Sequence, residues 1–226
     1  MVAGLKKYDI DPADLNPDGI VESNTVNSGS SLALDGALCD AGTALQFDIG
    51  DGYSSGVAGV RLVFDAAGDI SSAIFTITGK DQYGDTIDPA ETVTGVDTSG
   101  VTTTNYYSQV TEIAVSAATA TAVFVGTIGG ELVSPVYVLN RYAFQPAAVA
   151  ISAESGTWQA DMEQTFDNIA VDGATSAAWF LVTSGSNLSA DVALSVSQGA
   201  TGVRLKFDSY SNGAELQFHV SDSPYR

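Results

Sequence analysis

The sequence predicts an all-β fold: two tandem β-sandwich-like domains arising from an internal duplication, preceded by an extended N-terminal arm. Three observations carry this. Apolar residues recur with period 2 in short runs rich in Val, Ile, Thr and Phe, while a helical period is nearly absent. The chain's 23 glycines punctuate these runs with frequent turn signals, as in a sandwich or barrel. Finally, two sequence blocks recur in the same order in the two halves of the chain.

The elements follow in order. Residues 1–26 differ from the rest, and their stretch DIDPADLNPDG at 9–19 is acidic, proline-containing and poor in apolar residues, so it reads as an extended arm. Strands are expected at 44–49 (ALQFDI), 60–65 (VRLVFD), 73–78 (AIFTIT), 109–115 (QVTEIAV), 120–126 (ATAVFVG) and 135–139. Further strands are expected at 147–152, 178–183, 191–197, 202–208 and 215–220, and the only candidates for short helices are 12–15 and 158–166. The stretch GKDQYGD at 79–85 is a turn with glycine at both ends, followed by a Thr-rich run, and residues 79–104 read as a projecting hairpin. The Gln145-Pro146 step marks a boundary. The predicted organisation is therefore an arm at 1–26, a first sandwich at 27–145 and a second at 146–226.

The duplication rests on two blocks. Leu32-Ala33-Leu34-Asp35-Gly36-Ala37 is echoed by Ile169-Ala170-Val171-Asp172-Gly173-Ala174. Gly59-Val60-Arg61-Leu62-Val63-Phe64-Asp65 is echoed by Gly202-Val203-Arg204-Leu205-Lys206-Phe207-Asp208, and beyond them Phe75 matches Phe218 and Ile77 matches Val220. In each copy Val, Leu and Phe fall on one strand face and Arg on the other. Arg61 and Arg204 are expected on a solvated face or paired with a carboxylate. The expected core includes Phe47, Leu62, Phe64, Phe75, Ile77, Phe124, Trp179, Leu205, Phe207 and Phe218, each worth about 1.5–3 kcal/mol when buried.

With 45% hydrophobic residues the chain can bury a sizeable core, and only 15% are charged, so its polar surface is largely Ser, Thr, Asn, Gln and Gly. The charge is lopsided, 27 Asp and Glu against 8 Lys and Arg for a net −19, which disfavours nucleic-acid and anionic-membrane partners. Cys39 is the only cysteine, so no intrachain disulfide forms, and with no apolar segment after Lys6 and Lys7 no ordinary secretory signal is expected. No apolar run approaches the length of a membrane-spanning helix. These features point to a protein folded in a reducing cytosol.

Candidate chemistry is sparse. His219, the only histidine, sits in the strand pattern ELQFHV without a nucleophile elbow, so no Ser-His-Asp triad is expected. One cysteine and one histidine cannot assemble a zinc site, and no glycine-rich phosphate loop opens a helix. Asp14-x-Asn16-x-Asp18-Gly19 copies the first half of an EF-hand calcium loop, but Thr25 stands where a bidentate Glu belongs, and the alternative is a solvated turn. Paired carboxylates for glycoside hydrolysis carry no marked spacing, and Trp158 and Trp179 read as core anchors rather than a sugar platform. The expectation is no catalytic residues, no metal, no cofactor and no enzyme activity.

The stretches FTITGKDQYGDTIDPAETVTG at 75–95, YYSQVTEIAV at 106–115 and TAVFVGT at 121–127 resemble a pattern of tailed-bacteriophage virion proteins. In these a strand ending TG-x-D-x-x-G leads to a polar E-T strand, an I-x-V strand and a short strand ending VGT. The ending GVRLKFDSYSNGAELQFHV at 202–220 resembles C-terminal β segments of head–tail and neck proteins. The resemblance covers about half the chain and implies a β-sandwich subunit of a symmetric assembly, with no active residues to carry over. The expected function is thus a virion structural subunit forming a homo-oligomeric ring at the head–tail junction, neck or tail. The alternatives are a capsid decoration protein or a carbohydrate-binding adhesin module. Implied partners are copies of itself and portal, adaptor, tail or capsid proteins, with assembly in the bacterial host cytoplasm. Because 101–152 carries only Glu112, Glu131 and Arg141, it is the expected subunit contact. The arm at 1–23 is expected to reach a neighbour.

Overall fold

The computed structural model describes residues 5–12, 14–39, 47–48, 58–95, 99–128, 131–140, 146–169 and 177–221. All its named elements are β-strands, as the period-2 pattern predicts. Two compact units are formed. A central unit comprises Ala13–Asp51 and Val57–Glu131; a terminal unit comprises Met1–Pro12, Gly52–Gly56 and Leu132–Arg226.

In the central unit, one sheet orders β2 (Val21–Asn24), β10 (Val123–Gly126), β5 (Val63–Ala66) and β8 (Val101–Thr102). In the other, β9 (Tyr107–Val115) lies between β6 (Ile74–Asp81) on one side and β3 (Phe47–Asp48) and β4 (Gly59–Val60) on the other, and β7 (Glu91–Thr94) flanks β6. Every pairing is antiparallel. Alternation along β6, with Phe75 and Ile77 buried and Ile74 and Thr78 exposed, aims one face inward. A single apolar core joins the sheets: Val21, Phe64, Val123 and Val125 from the first, Phe75, Ile77, Tyr107, Val110, Ile113 and Val115 from the second. Phe64 and Phe75 meet across it with ring centroids 5.1 Å apart.

In the terminal unit, one sheet orders β1 (Leu5–Ile10), β18 (Glu215–Ser221), β13 (Ala148–Ser155) and β16 (Val192–Ser195). The other places β14 (Trp158–Thr165) between β15 (Phe180–Leu181) and β17 (Gly202–Tyr210), and β17 also pairs with β11 (Leu132–Val133) and β12 (Tyr137–Val138). Val149, Ile151, Leu216, Phe218 and Val220 of the first sheet are buried, as are Trp158, Ala160, Met162, Val203, Leu205 and Phe207 of the second.

Several expectations are corrected. The N-terminal segment is not a free arm: residues 5–10 form β1, paired with β18 of the same chain from Leu5↔Ser221 to Ile10↔Leu216, and Ile10 is buried. Residues 20 and 21 are core residues of the central unit. The division between units falls at Glu131 and Leu132 rather than at 145, because β11 and β12 pair with β17 of the terminal unit. The hairpin expected to project over 79–104 closes on the central sandwich instead: β7 lies along β6, and β8 joins β5 in the opposite sheet. Residues 158–165, within the stretch 158–166 read as a possible helix, form strand β14 instead. Phe124 and Trp179 are only half-buried, and the side chain of Phe47 lies outside the described residues.

The echoed heptads share one burial pattern: Val60, Leu62 and Phe64 are buried with Arg61 half-buried, and Val203, Leu205 and Phe207 are buried with Arg204 half-buried. They differ in backbone. Residues 202–210 form one continuous strand, whereas the first copy breaks at 61–62 between β4 of one sheet and β5 of the other. For this block the strand-for-strand equivalence expected of a duplication is not seen. The echo of Leu32–Ala37 lies largely outside the described residues.

Candidate functional site

The lone histidine lies in the terminal unit and the lone cysteine in the central unit. His219 is half-buried in β18, between Lys7 of β1 and Ala150 of β13 in register, an ordinary strand position. Cys39 is half-buried with its Sγ 3.4 Å from the Ile20 carbonyl oxygen. Among the described residues no three His, Cys, Asp or Glu side chains stand close enough to hold a metal ion. In the acidic turn, Asn16 Oδ1 accepts from Asp18 N at 3.1 Å, while Thr127 Oγ1 donates to the Asp14 carbonyl at 2.7 Å and accepts from Asn16 N at 3.1 Å. The two Thr127 contacts tie the turn to the end of β10. Thr25 is exposed.

Both repeat arginines meet a glutamate, the second of the two environments expected for them. Arg204 Nε and Nη2 each lie 2.7 Å from Glu163 Oε2, and the guanidinium sits 4.0 Å from the centroid of the Trp179 ring. Arg61 donates to Glu131 and to the Thr103 carbonyl. Each pair joins two segments of one unit. Trp179 Nε1 is buried without a hydrogen-bond partner among the described residues.

Two tyrosines have perturbed ionisation. Burial, then the nearby Glu91 carboxylate, pushes the Tyr107 hydroxyl well above its ordinary value, and its Oη donates to Glu91 Oε2 at 3.0 Å. Glu91 also accepts from Thr104 N at 2.5 Å and Asn105 N at 3.1 Å, so this carboxylate anchors a loop. Burial likewise raises Tyr137, with Tyr8 adding to it. Both tyrosines are buried core residues rather than groups lining an opening.

The terminal unit also carries a concave feature. A groove of about 520 Å³ is lined by Thr157, Trp158, Gln159, Ser189, Ser209, Tyr210 and Ser211. The antiparallel register pairs Trp158 with Tyr210 and Gln159 with Ser209, and the bridge between Ala160 and Leu188 brings Ser189 alongside Gln159. Trp158 and Tyr210 point into the core, with 5% and 6% of their surface exposed, so their rings close the groove floor. The sequence alone gives no sign of this groove. Gln159 falls in the stretch read as a possible helix, and only the strand register brings it to Ser209.

Unit surfaces also carry apolar residues. Phe166 and Phe180, half exposed, meet with ring centroids 6.1 Å apart, and Leu181 is equally exposed on the short strand β15. No protein-family model matches this chain, and comparison with curated proteins finds no match.

Proposed function

We propose that this chain is a structural subunit of a tailed-bacteriophage virion that assembles with copies of itself, at the head–tail junction, neck or tail. The observation that carries this reading is the resemblance over 75–95, 106–115 and 121–127. Those segments supply β6, β7, β9 and β10, the main strands of the central sandwich. Its second support is the pairing of a strongly acidic chain with exposed apolar residues. A subunit with net −19 repels its copies, so contact must come from neutral and apolar surface. Phe166, Phe180 and Leu181 offer such surface. The charge-poor segment 101–152 is a further proposed contact: Ile128 and Val138 are exposed there, while β9 and β10 are largely buried within their own unit.

Light scattering and native mass measurement of the purified chain across a salt series test the proposal. A closed homo-oligomer is expected, strengthened by salt because screening relieves self-repulsion over a Debye length of about 8–10 Å. Electron microscopy of the assembly then distinguishes a ring from a capsid decoration protein. A chain that stays monomeric at every salt and protein concentration, alone and with virion proteins, overturns the reading.

A further inference from the structure

We infer that the groove at Gln159 and Ser209 binds a neutral saccharide, a ligand role that stands independently of the virion reading. Three observations carry it. The groove's volume, about 520 Å³, lies within the ordinary range for small-molecule sites and suits one or two sugar rings. Its lining is uncharged throughout, in a chain with 35 charged side chains (27 + 8). A charged ligand would find no counter-charge inside, and the flanking carboxylates of Asp161 and Asp208 repel anions. Five hydroxyls, counting the Tyr210 phenol, and one amide instead present both donors and acceptors, as a polyol requires.

The geometry supports the same ligand class. Ser189, Gln159 and Ser209 lie side by side on three adjacent segments, so with a strand spacing of about 4.8 Å the row is roughly 10 Å across. That is the reach of a sugar with hydroxyls at both ends. Gln159 is held in place by its own Nε2, which donates to Asn187 Oδ1 at 2.8 Å, and the Asn187 backbone N is in turn fixed by Asp161 Oδ1 at 2.9 Å. Ser211 Oγ is held by Thr157 N at 2.9 Å. The hydroxyls of Ser189 and Ser209 make no hydrogen bond to other described residues, which leaves them to a ligand. The rings of Trp158 and Tyr210 give the floor an apolar edge for C–H faces.

The experiment uses the full chain carrying Trp179→Phe, which leaves Trp158, at the groove, as the sole tryptophan. Neutral mono- and disaccharides and their phosphorylated counterparts are titrated while Trp158 fluorescence is read. At least one neutral sugar is expected to give a saturable change at about millimolar affinity or tighter, with its phosphate binding at least about tenfold more weakly. Gln159→Ala and Ser209→Val are each expected to weaken binding about fivefold or more. Ser189→Tyr, at an exposed position outside both strands, is expected to block the groove without changing the melting temperature. The inference is overturned if no neutral sugar gives a saturable change, if phosphorylated sugars bind equally well, or if Ser189→Tyr in a folded chain binds as before.

Discussion

Tyr137 stacks on Phe218 with ring centroids 4.7 Å apart and planes 28° from parallel, joining β12 of one sheet to β18 of the other in the terminal unit. Tyr8 of β1 meets the same Tyr137 at 4.2 Å, so three strands converge on one aromatic cluster. Because Tyr137 and Phe218 are buried, Tyr137→Ala and Phe218→Ala should each cost about 3–5 kcal/mol in denaturant unfolding. The double variant should cost less than the sum by about 0.5–1.5 kcal/mol, the worth of the ring pair. Strict additivity in that cycle would show that the rings do not support each other.

Arg204 and Glu163 form the more enclosed of the two arginine pairs, with 12% and 16% of their side chains exposed against 25% and 34% for Arg61 and Glu131. Removing one member of an enclosed pair strands the other charge. Glu163→Ala should therefore destabilise by about 3–5 kcal/mol, more than Glu131→Ala, while Arg204→Met with Glu163→Leu should recover most of the loss. Thermal unfolding of the single and double variants measures this ordering, and equal costs for Glu163→Ala and Glu131→Ala would refute it.

Particular residues show how far the sequence is legible. Phe75 and Ile77, like Leu205 and Phe207, are buried as their alternation requires, because a strand's two faces leave a period that needs no tertiary knowledge. The break at 61–62 has no such signal. There Arg61 N bonds the Glu131 carbonyl at 3.1 Å and Leu62 N bonds Thr103 Oγ1 at 2.9 Å, partners distant in sequence that end one strand and start another. Residues 158–165 look weakly helical because Gln, Ala, Met and Glu favour helices. Yet burial alternates at Trp158, Ala160, Met162 and Gln164, and pairing to β17 decides the outcome. The segment LKKYDI hides its strand because consecutive Lys6 and Lys7 fall on opposite faces of a strand at the sheet edge, which leaves only Tyr8 and Ile10 to mark the inward face. The groove was illegible for the same reason as the break: Gln159 and Ser209 are fifty residues apart and meet only through register.

Gly126 ends β10 where the N-terminal turn crosses closely: a Cβ there would lie 1.9 Å from the Asn16 carbonyl oxygen. Gly126→Ala must push the turn off β10, which also breaks the Thr127 contacts to Asp14 and Asn16, and should cost about 1–3 kcal/mol or more. Gly68→Ala, whose new methyl would come no nearer than 3.6 Å to a neighbour, serves as the control and should be nearly neutral. Equal melting temperatures for the two variants would show that the turn yields freely.

Stability should decline in alkali. Burial and Glu91 raise the Tyr107 hydroxyl in the folded state, so the folded chain holds this proton more tightly than the unfolded one. The contribution is fully present below the unfolded value of about 10 and is lost as pH rises beyond it. Urea midpoints should therefore stay level from neutral pH to about 9 and then fall. Tyr107→Phe should lose about 1 kcal/mol at neutral pH, for the bond to Glu91, and should fall less steeply above pH 10. A variant with an unchanged alkaline slope would remove Tyr107 from the explanation.

The N-terminal strand makes the sharpest distinction between an arm and a part of the fold. In register, Tyr8 lies beside Phe218 and Ile10 beside Leu216, and β18 has β13 on its other side. Deleting residues 1–12 removes buried Ile10 and the ring of Tyr8 that packs on Tyr137, and leaves one side of β18 without its partner strand. Loss of Ile10 alone should cost about 1.5–3 kcal/mol of burial. With the six-residue pairing gone as well, the loss becomes a large fraction of the 5–15 kcal/mol typical of a domain. The newly open edge of β18 should also promote aggregation. A peptide of residues 5–12 added in excess should restore protection of β18 amides in hydrogen exchange, by adding back the missing strand. If the deletion leaves the melting temperature and the β18 protection unchanged, β1 contributes nothing to the unit, and the segment acts as an arm after all.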